Sequence, residues 1–175
     1  MKAALVVFFV IVLGLTLMAS IGCFLPRRHR LTRAAIFGRK PGELYTVVRD
    51  FKNHPQWRKG VRSVQLIPAS ADGCVRFSEV SSHGAITYFV VEDRSGEKLV
   101  TKIADEHLPF GGSWTIEFSV EPTGTRVSIT EDGEVKNVFF RFMARFIFGY
   151  ATTAEIYLRE LGRKFDQDVS ISDAH

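Results

Sequence analysis

The chain has 175 residues, enough for one domain of about 150 residues that buries a sound core without disulfides or metals, plus an appendage. Its net charge is +4, but Lys2, Arg27, Arg28 and Arg30 supply four of the 23 basic residues before position 31, leaving 19 against 19 acidic ones. The remainder is neutral and holds no basic cluster, which argues against nucleic-acid binding, where affinity rests largely on phosphate neutralisation.

Ala3 to Leu25 is a run of 23 residues without a charge. At about 1.5 Å per residue, a helix of this length crosses a hydrocarbon core of roughly 30 Å with some tilt. The reading is an uncleaved single-pass anchor over residues 1–26. Lys2 precedes the span, whereas Arg27, Arg28, Arg30 and Arg33 follow it. That asymmetry predicts a cytoplasmic C-terminal domain. The alternatives are export after signal cleavage, which the length of the apolar run opposes, and lipidation at Cys23, where Gly22 suits a processing site and Ser20 does not. Cys23 lies in the apolar run and Cys74 in a predicted strand, so a disulfide between them is not expected, and no CxxC or Cys/His ligand spacing occurs. Residues 27–30 read as a basic linker, 31–168 as the domain and 169–175 as a tail.

Leu31 to Gly38 alternates loosely and predicts a first strand. Pro41 suits the first position of a helix, Glu43 complements its dipole, and Leu44, Val47, Val48 and Phe51 share one face. Asn53 can cap a second short helix containing Pro55 and Trp57. Strand candidates follow, separated by turn signals: Val61 to Ala69, the turn Ala71-Asp72-Gly73, Cys74 to Ser81, the turn Ser82-His83-Gly84, Ala85 to Asp93, Lys98 to Ala104, Ser113 to Glu121, and Thr125 to Lys136. This is a pattern of consecutive antiparallel hairpins. Trp114, Ile116, Phe118 and Val120 share one strand face, opposite Thr115, Glu117, Ser119 and Glu121. One buried face and one wet face mark a curved antiparallel sheet. Glu131 and Glu79 are exceptions, since their parity places a carboxylate on an apolar face. The bland reading is that each sits near a strand end and reaches solvent or an arginine.

Asn137 can cap a long helix. Phe139, Met143, Phe146, Tyr150, Ala154, Tyr157, Leu161 and Phe165 recur along it at spacings of three and four. Arg141, Arg145, Thr152, Glu155, Arg159 and Arg163 form the opposite stripe. Gly149 is a point where the helix can bend. The aromatic stripe suits core packing, and Phe140, Ile147 and Phe148 could alternatively face a bilayer surface.

This order of elements, carried by specific residues, resembles the START-like helix-grip (SRPBCC) superfamily, and within it the polyketide cyclase/dehydrase and lipid-transport group. Asp50-Phe51, Pro55, Gln56-Trp57 and Val61 resemble that group's helix–helix segment. Leu108-Pro109-Phe110-Gly111-Gly112-Ser113-Trp114 resembles its Gly-x-Trp entry to a central strand. Gly124-Thr125, Thr130-Glu131 and Gly133, then Asn137 and the aromatic helix, resemble its C-terminal signature. The resemblance implies an α+β fold in which a curved antiparallel sheet of six or seven strands wraps a long C-terminal helix, with a cavity between them for a hydrophobic or amphipathic molecule. The transmembrane segment lies outside it.

Three functions then compete. The leading one is non-catalytic binding of a lipid-, quinone- or polyketide-like molecule at the membrane, with Trp57, Phe77, Tyr88, Trp114, Phe118, Glu131, Phe139, Met143, Phe146 and Tyr150 as candidate lining. The second is a cyclase or dehydratase using a cavity carboxylic acid whose pKa is raised by desolvation, with Glu131 the first candidate and Glu79 the second. The third is a protein-interaction module at the membrane, with an unidentified partner. His29 falls in the basic flank, His175 at the terminus, and His54, His83 and His107 in predicted turns or loops. No HExxH, GxSxG or P-loop pattern occurs, and neither a cofactor nor a metal is expected.

Overall fold

The computed structural model describes residues 2–68, 73–82 and 84–173, with the Phe148 side chain left aside. The predicted turn residues Ala71, Asp72 and His83, the strand end Ala69, and His175 lie outside the described residues. Helix α1 spans Lys2–Phe24 and is long and apolar enough to cross a membrane. Strand β1 follows at Arg28–Phe37, then helix α2 at Pro41–Arg49 and a 3-10 helix at Phe51–Gln56. Strands β2 (Val61–Ile67), β3 (Arg76–Ser81), β4 (Gly84–Arg94), β5 (Lys98–Ile103), β6 (Phe110–Glu121) and β7 (Gly124–Val135) form a meander. Helix α3 (Val138–Met143), a π-helical turn (Ala144–Phe148), helix α4 (Thr152–Lys164) and strand β8 (Ser172–Asp173) complete the chain.

The strands make one antiparallel sheet in the order β2-β3-β4-β5-β6-β7-β1-β8. The first strand therefore closes the far side of the meander by pairing with β7, from Arg28 opposite Glu134 to Phe37 opposite Thr125. The core lies between the concave face and the helices, where Phe37, Leu44, Val48, Leu99, Val127, Ile129, Leu158 and Leu161 have no appreciable exposure. Tyr45 and Arg49 of α2 donate to Asp93 of β4 at 2.5 and 2.6 Å. Arg33 of β1 donates to Glu155 of α4 at 3.1 Å. The helix-grip architecture expected from the sequence is thus present.

Several boundaries differ from the expectation. Residues 28–30, read as linker, are the first rungs of β1, because β7 continues to Val135 and offers them partners. Ser172 and Asp173, read as tail, pair with Ala34 and Arg33 as β8. Asn53 lies within the 3-10 helix and bonds back to Asp50 instead of capping. Val120 is 79% exposed; it keeps the parity of Phe118, but the sheet there runs past its helical cover.

The predicted long helix is interrupted. Asn137 caps α3, its side-chain oxygen accepting from the Phe139 and Phe140 amides. The π-helical turn then inserts an i→i+5 step, seen in the Gly149 N–H bond to Ala144 O. Gly149 follows at φ +74°, a left-handed conformation that suits a residue without Cβ. Residues before and after this break no longer share one helical phase. Arg141, expected on the wet stripe, is instead 4% exposed. It donates to Gly22 O and Leu25 O at the C-terminal end of α1, and to Lys136 O.

The core assignment on α4 makes a direct contrast. Leu158→Ala, at a fully buried position, should lower unfolding free energy by about 2–5 kcal/mol. Ile156→Ala, half exposed two residues away, should cost no more than about 0.5 kcal/mol. Urea denaturation of the detergent-solubilised chain measures both, and equal losses would contradict the packing described.

Candidate functional site

A cavity of about 410 Å³ lies between the concave face of the sheet and the helices, within the usual range of roughly 300–1,000 Å³ for small-molecule sites. Its walls are largely apolar, drawn from Phe77, Tyr88, Leu99, Ile103, Trp114 and Tyr157. Strand parity explains the selection. Phe77 on β3 stands opposite Tyr88 on β4, and the Phe77 ring stacks on both Tyr88 and Phe51 from the 3-10 helix. At the other end, Phe140 and Ala144 from the broken helical stretch, with Gly149 and Tyr150, meet the start of β6 and the end of β7.

Glu131 forms the first polar station. It pairs with Trp114 across β6 and β7, so the two side chains share the concave face. Trp114 Nε1 donates to one carboxylate oxygen at 2.9 Å, and His29 Nε2 donates to the other at 3.1 Å. His29 reaches it because Gly133, opposite on β7, has no side chain; a Cβ there would lie 2.2 Å from the imidazole. The ring of Tyr150 stacks on His29 with centroids 4.1 Å apart. Both oxygens of Glu131 are therefore engaged within the protein.

Glu79 forms the second station, on β3. His54 Nδ1 lies 2.9 Å from its Oε1, and Arg58 donates to the same oxygen at 2.5 Å. His54 is 3% exposed, and its Nε2 donates to Val48 O at 2.9 Å, which fixes the ring. Burial pushes the Glu79 carboxyl up, but the His54 hydrogen bond and the Arg58 charge outweigh it and hold the group below its ordinary 4.5. A desolvated acid with a raised pKa, as sought for catalysis, is thus not what Glu79 provides. Burial, reinforced by the Glu79 charge, pushes the Tyr88 hydroxyl up, and burial does the same for Tyr157. Both phenols stay neutral O–H groups across the physiological range.

Of the residues expected to line a site, Phe77, Tyr88, Trp114, Glu131 and Tyr150 come together around the cavity, as does Glu79. Trp57, Phe118, Phe139, Met143 and Phe146 do not line it. Trp57 packs edge-on against His54 and Tyr157, and Phe118 is core beside Tyr45. Phe139 and Phe146 are substantially exposed. The last three were grouped with Tyr150 by an unbroken helical period that the π-helical turn removes, and Phe140 and Ala144 line the wall in their place.

His29, His54 and Arg58 were missed. His29 has the parity of Leu31 and Ala35, a signal that becomes visible once β1 is extended back to Arg28. His54, expected in a loop, sits within an apolar neighbourhood of Val48, Phe51 and Trp57, where a buried polar ring needs a partner. Arg58 follows it by one helical turn. Among the described residues no group of three His, Cys, Asp or Glu side chains is placed to hold a metal ion.

The second station has a stability signature. A carboxyl held below its ordinary value contributes fully above about pH 4.5 and loses that contribution as pH falls through the folded-state value. Glu79→Gln leaves Arg58 without its counter-charge and should cost about 3–5 kcal/mol at pH 7, with a flatter acid limb below pH 4.5. Urea denaturation at pH 7 and across the acid range measures this. Wild-type stability at pH 7 would contradict it.

Solved structures share the fold, among them the following three. The di-domain ARO/CYC StfQ from the steffimycin biosynthetic pathway superposes with a TM-score of 0.63 at 12% identity, covering 77% of this chain; this chain spans about half, 49%, of that one. A START superfamily protein from Mycobacterium smegmatis gives 0.61 at 16% identity, with 79% and 97% covered. A protein from Rhizobium leguminosarum gives 0.61 at 15% identity, with 81% and 96% covered. No curated protein matches the sequence. The family described as polyketide cyclase/dehydrase and lipid transport matches residues 28–161. The match runs from the first rung of β1 to the core leucine of α4, and the chain belongs to that family.

Proposed function

We propose that this chain binds a hydrophobic or amphipathic small molecule, of lipid, quinone or polyketide-like chemistry, while tethered to a membrane, and that it does so without catalysis. The observation that carries the reading is a largely apolar cavity in which Glu79 and Glu131, the carboxylates set on its wall by strand parity, are already paired inside the protein. Such a cavity favours a neutral or weakly polar ligand, because a charged one would lose hydration without gaining a free counter-charge. The neutral hydroxyls of Tyr88 and Tyr157 supply donors for a carbonyl or hydroxyl oxygen. The family name joins cyclisation, dehydration and lipid transport, and the fold by itself does not choose among them.

Membrane tethering is supported by the length and apolarity of α1 and by Arg141, which holds the last carbonyls of that helix. Cleavage before Cys23 would take Gly22 O, one of its acceptors, from this buried guanidinium. The arginines after α1 support a cytoplasmic domain.

An enzymatic reading keeps one observation on its side. His29 and Glu131 form a hydrogen-bonded pair on the cavity wall, an arrangement able to accept a proton from a bound substrate. Glu131→Gln separates the readings. Retained ligand with lost turnover favours chemistry, and lost ligand favours a binding role.

The binding reading is tested by native mass spectrometry of the full chain released from membranes in mild detergent. A co-purifying small molecule is expected. Ile103→Trp, which fills the cavity wall, should reduce its occupancy at least about fivefold, since the indole takes the volume of the ligand. Met143→Trp, outside the cavity, should leave occupancy unchanged. An empty chain carrying a stoichiometric protein partner would overturn the proposal.

A further inference from the structure

The cavity mouth, an exposed apolar patch and the apolar helix meet at one end of the sheet. At this end β1 starts, β6 starts and β7 ends, and Phe110, Gly112, Gly133 and Val135 line the cavity there. α3 and the π-helical turn stand over the same opening. Their inner side gives Phe140 and Ala144 to the cavity wall. Their outer side leaves Phe146 59% and Ile147 58% exposed, with Phe139 beside them.

The height of this segment relative to α1 is set by direct contact. The 23 residues of α1 span about 35 Å, against a hydrocarbon core of roughly 30 Å. Its last turn therefore reaches the hydrocarbon boundary. Gly22 lies in that turn, and α3 packs on it so closely that a Cβ at position 22 would be 2.1 Å from Val138 O. Arg141 of α3 donates to Gly22 O at 3.0 Å and Leu25 O at 3.1 Å. A flexible linker would let the domain float free of the bilayer; this contact holds α3 at the depth of the helix end. Arg27, Arg28 and Arg145 are exposed close to the same contact, which matches anionic headgroups just above the acyl chains.

We infer that, with α1 in a bilayer, α3 and the π-helical turn lie in the lipid interface, with Phe139, Phe146 and Ile147 among the upper acyl segments. The cavity mouth then opens onto the bilayer, and a lipid surface is the partner that covers this patch. The inference rests on the membrane-tethered reading of α1 and adds the orientation and depth of the domain. Its consequence is that a ligand passes laterally between membrane and cavity, past Phe140 and Ala144, without crossing water.

The test uses spin labels on the full chain, with Cys23 and Cys74 changed to Ser, in vesicles of phosphatidylcholine and phosphatidylglycerol. Labels are placed singly by Phe146→Cys, Ile147→Cys, Leu13→Cys and Ile156→Cys, all at exposed positions. Power-saturation EPR compares access to oxygen with access to a water-soluble nickel chelate. Positions 146 and 147 should favour oxygen at least about threefold relative to position 156 on α4, and position 13 should be deepest. If position 13 is deep while 146 and 147 are open to nickel, the inference fails and the tether stands. If position 13 is open to nickel, the tether fails with it. If 146 and 147 are closed to both reagents, a protein partner or a second copy covers the patch and the inference fails. Arg141→Met should raise nickel access at position 147 at least about threefold while position 13 stays deep. No change would remove Arg141 as the element that sets the depth.

Discussion

The concave face of the sheet is longer than the helix that packs into it. β7 has 12 residues, about 40 Å of strand, whereas α4 has 13 residues, about 20 Å of helix. An unbroken helix from Val138 to Lys164 would match the strand in length and present one apolar stripe along it. The π-helical turn and the left-handed Gly149 prevent this. α4 fills one half of the face with Tyr157, Leu158 and Leu161, and the other half stays open as a cavity. α3 turns aside to meet α1.

That geometry constrains the polar groups. A carboxylate facing an apolar hollow needs partners from within the protein. Glu131 has Trp114 and His29, and Glu79 has His54 and Arg58. Each cluster joins elements that are distant in sequence: β1 with β6 and β7 in one, and the 3-10 helix with β3 in the other. The clusters therefore serve as structural ties as well as polar points on the cavity wall. Substituting either carboxylate perturbs packing and ligand recognition together, and only separate readings of occupancy, turnover and stability resolve the two.

Much of the fold could be read from residue order. The alternation from Ser113 to Phe118 and the cap at Asn137 are local signals, and the structure uses them as read. The parity of Glu131 and Glu79 also pointed to the concave face. Other features depend on contacts that no local pattern encodes. His29 joins the site because β7 runs far enough to pair with Arg28. Arg141 looks like a solvated stripe until the end of α1 is placed beside it. Phe139, Met143 and Phe146 fell out of the cavity because one inserted helical step shifts their phase relative to Tyr150. Val120 kept its strand face but lost its cover.

The central claim is that the half of the concave face left open by α4 holds a hydrophobic molecule. A crystal structure of the full chain, extracted from its source cells in mild detergent, tests this most directly. Electron density for a non-protein molecule among Phe77, Tyr88, Trp114 and Tyr157 is the predicted result. Side chains collapsed inward to fill that volume, with no space left for a ligand, would contradict it.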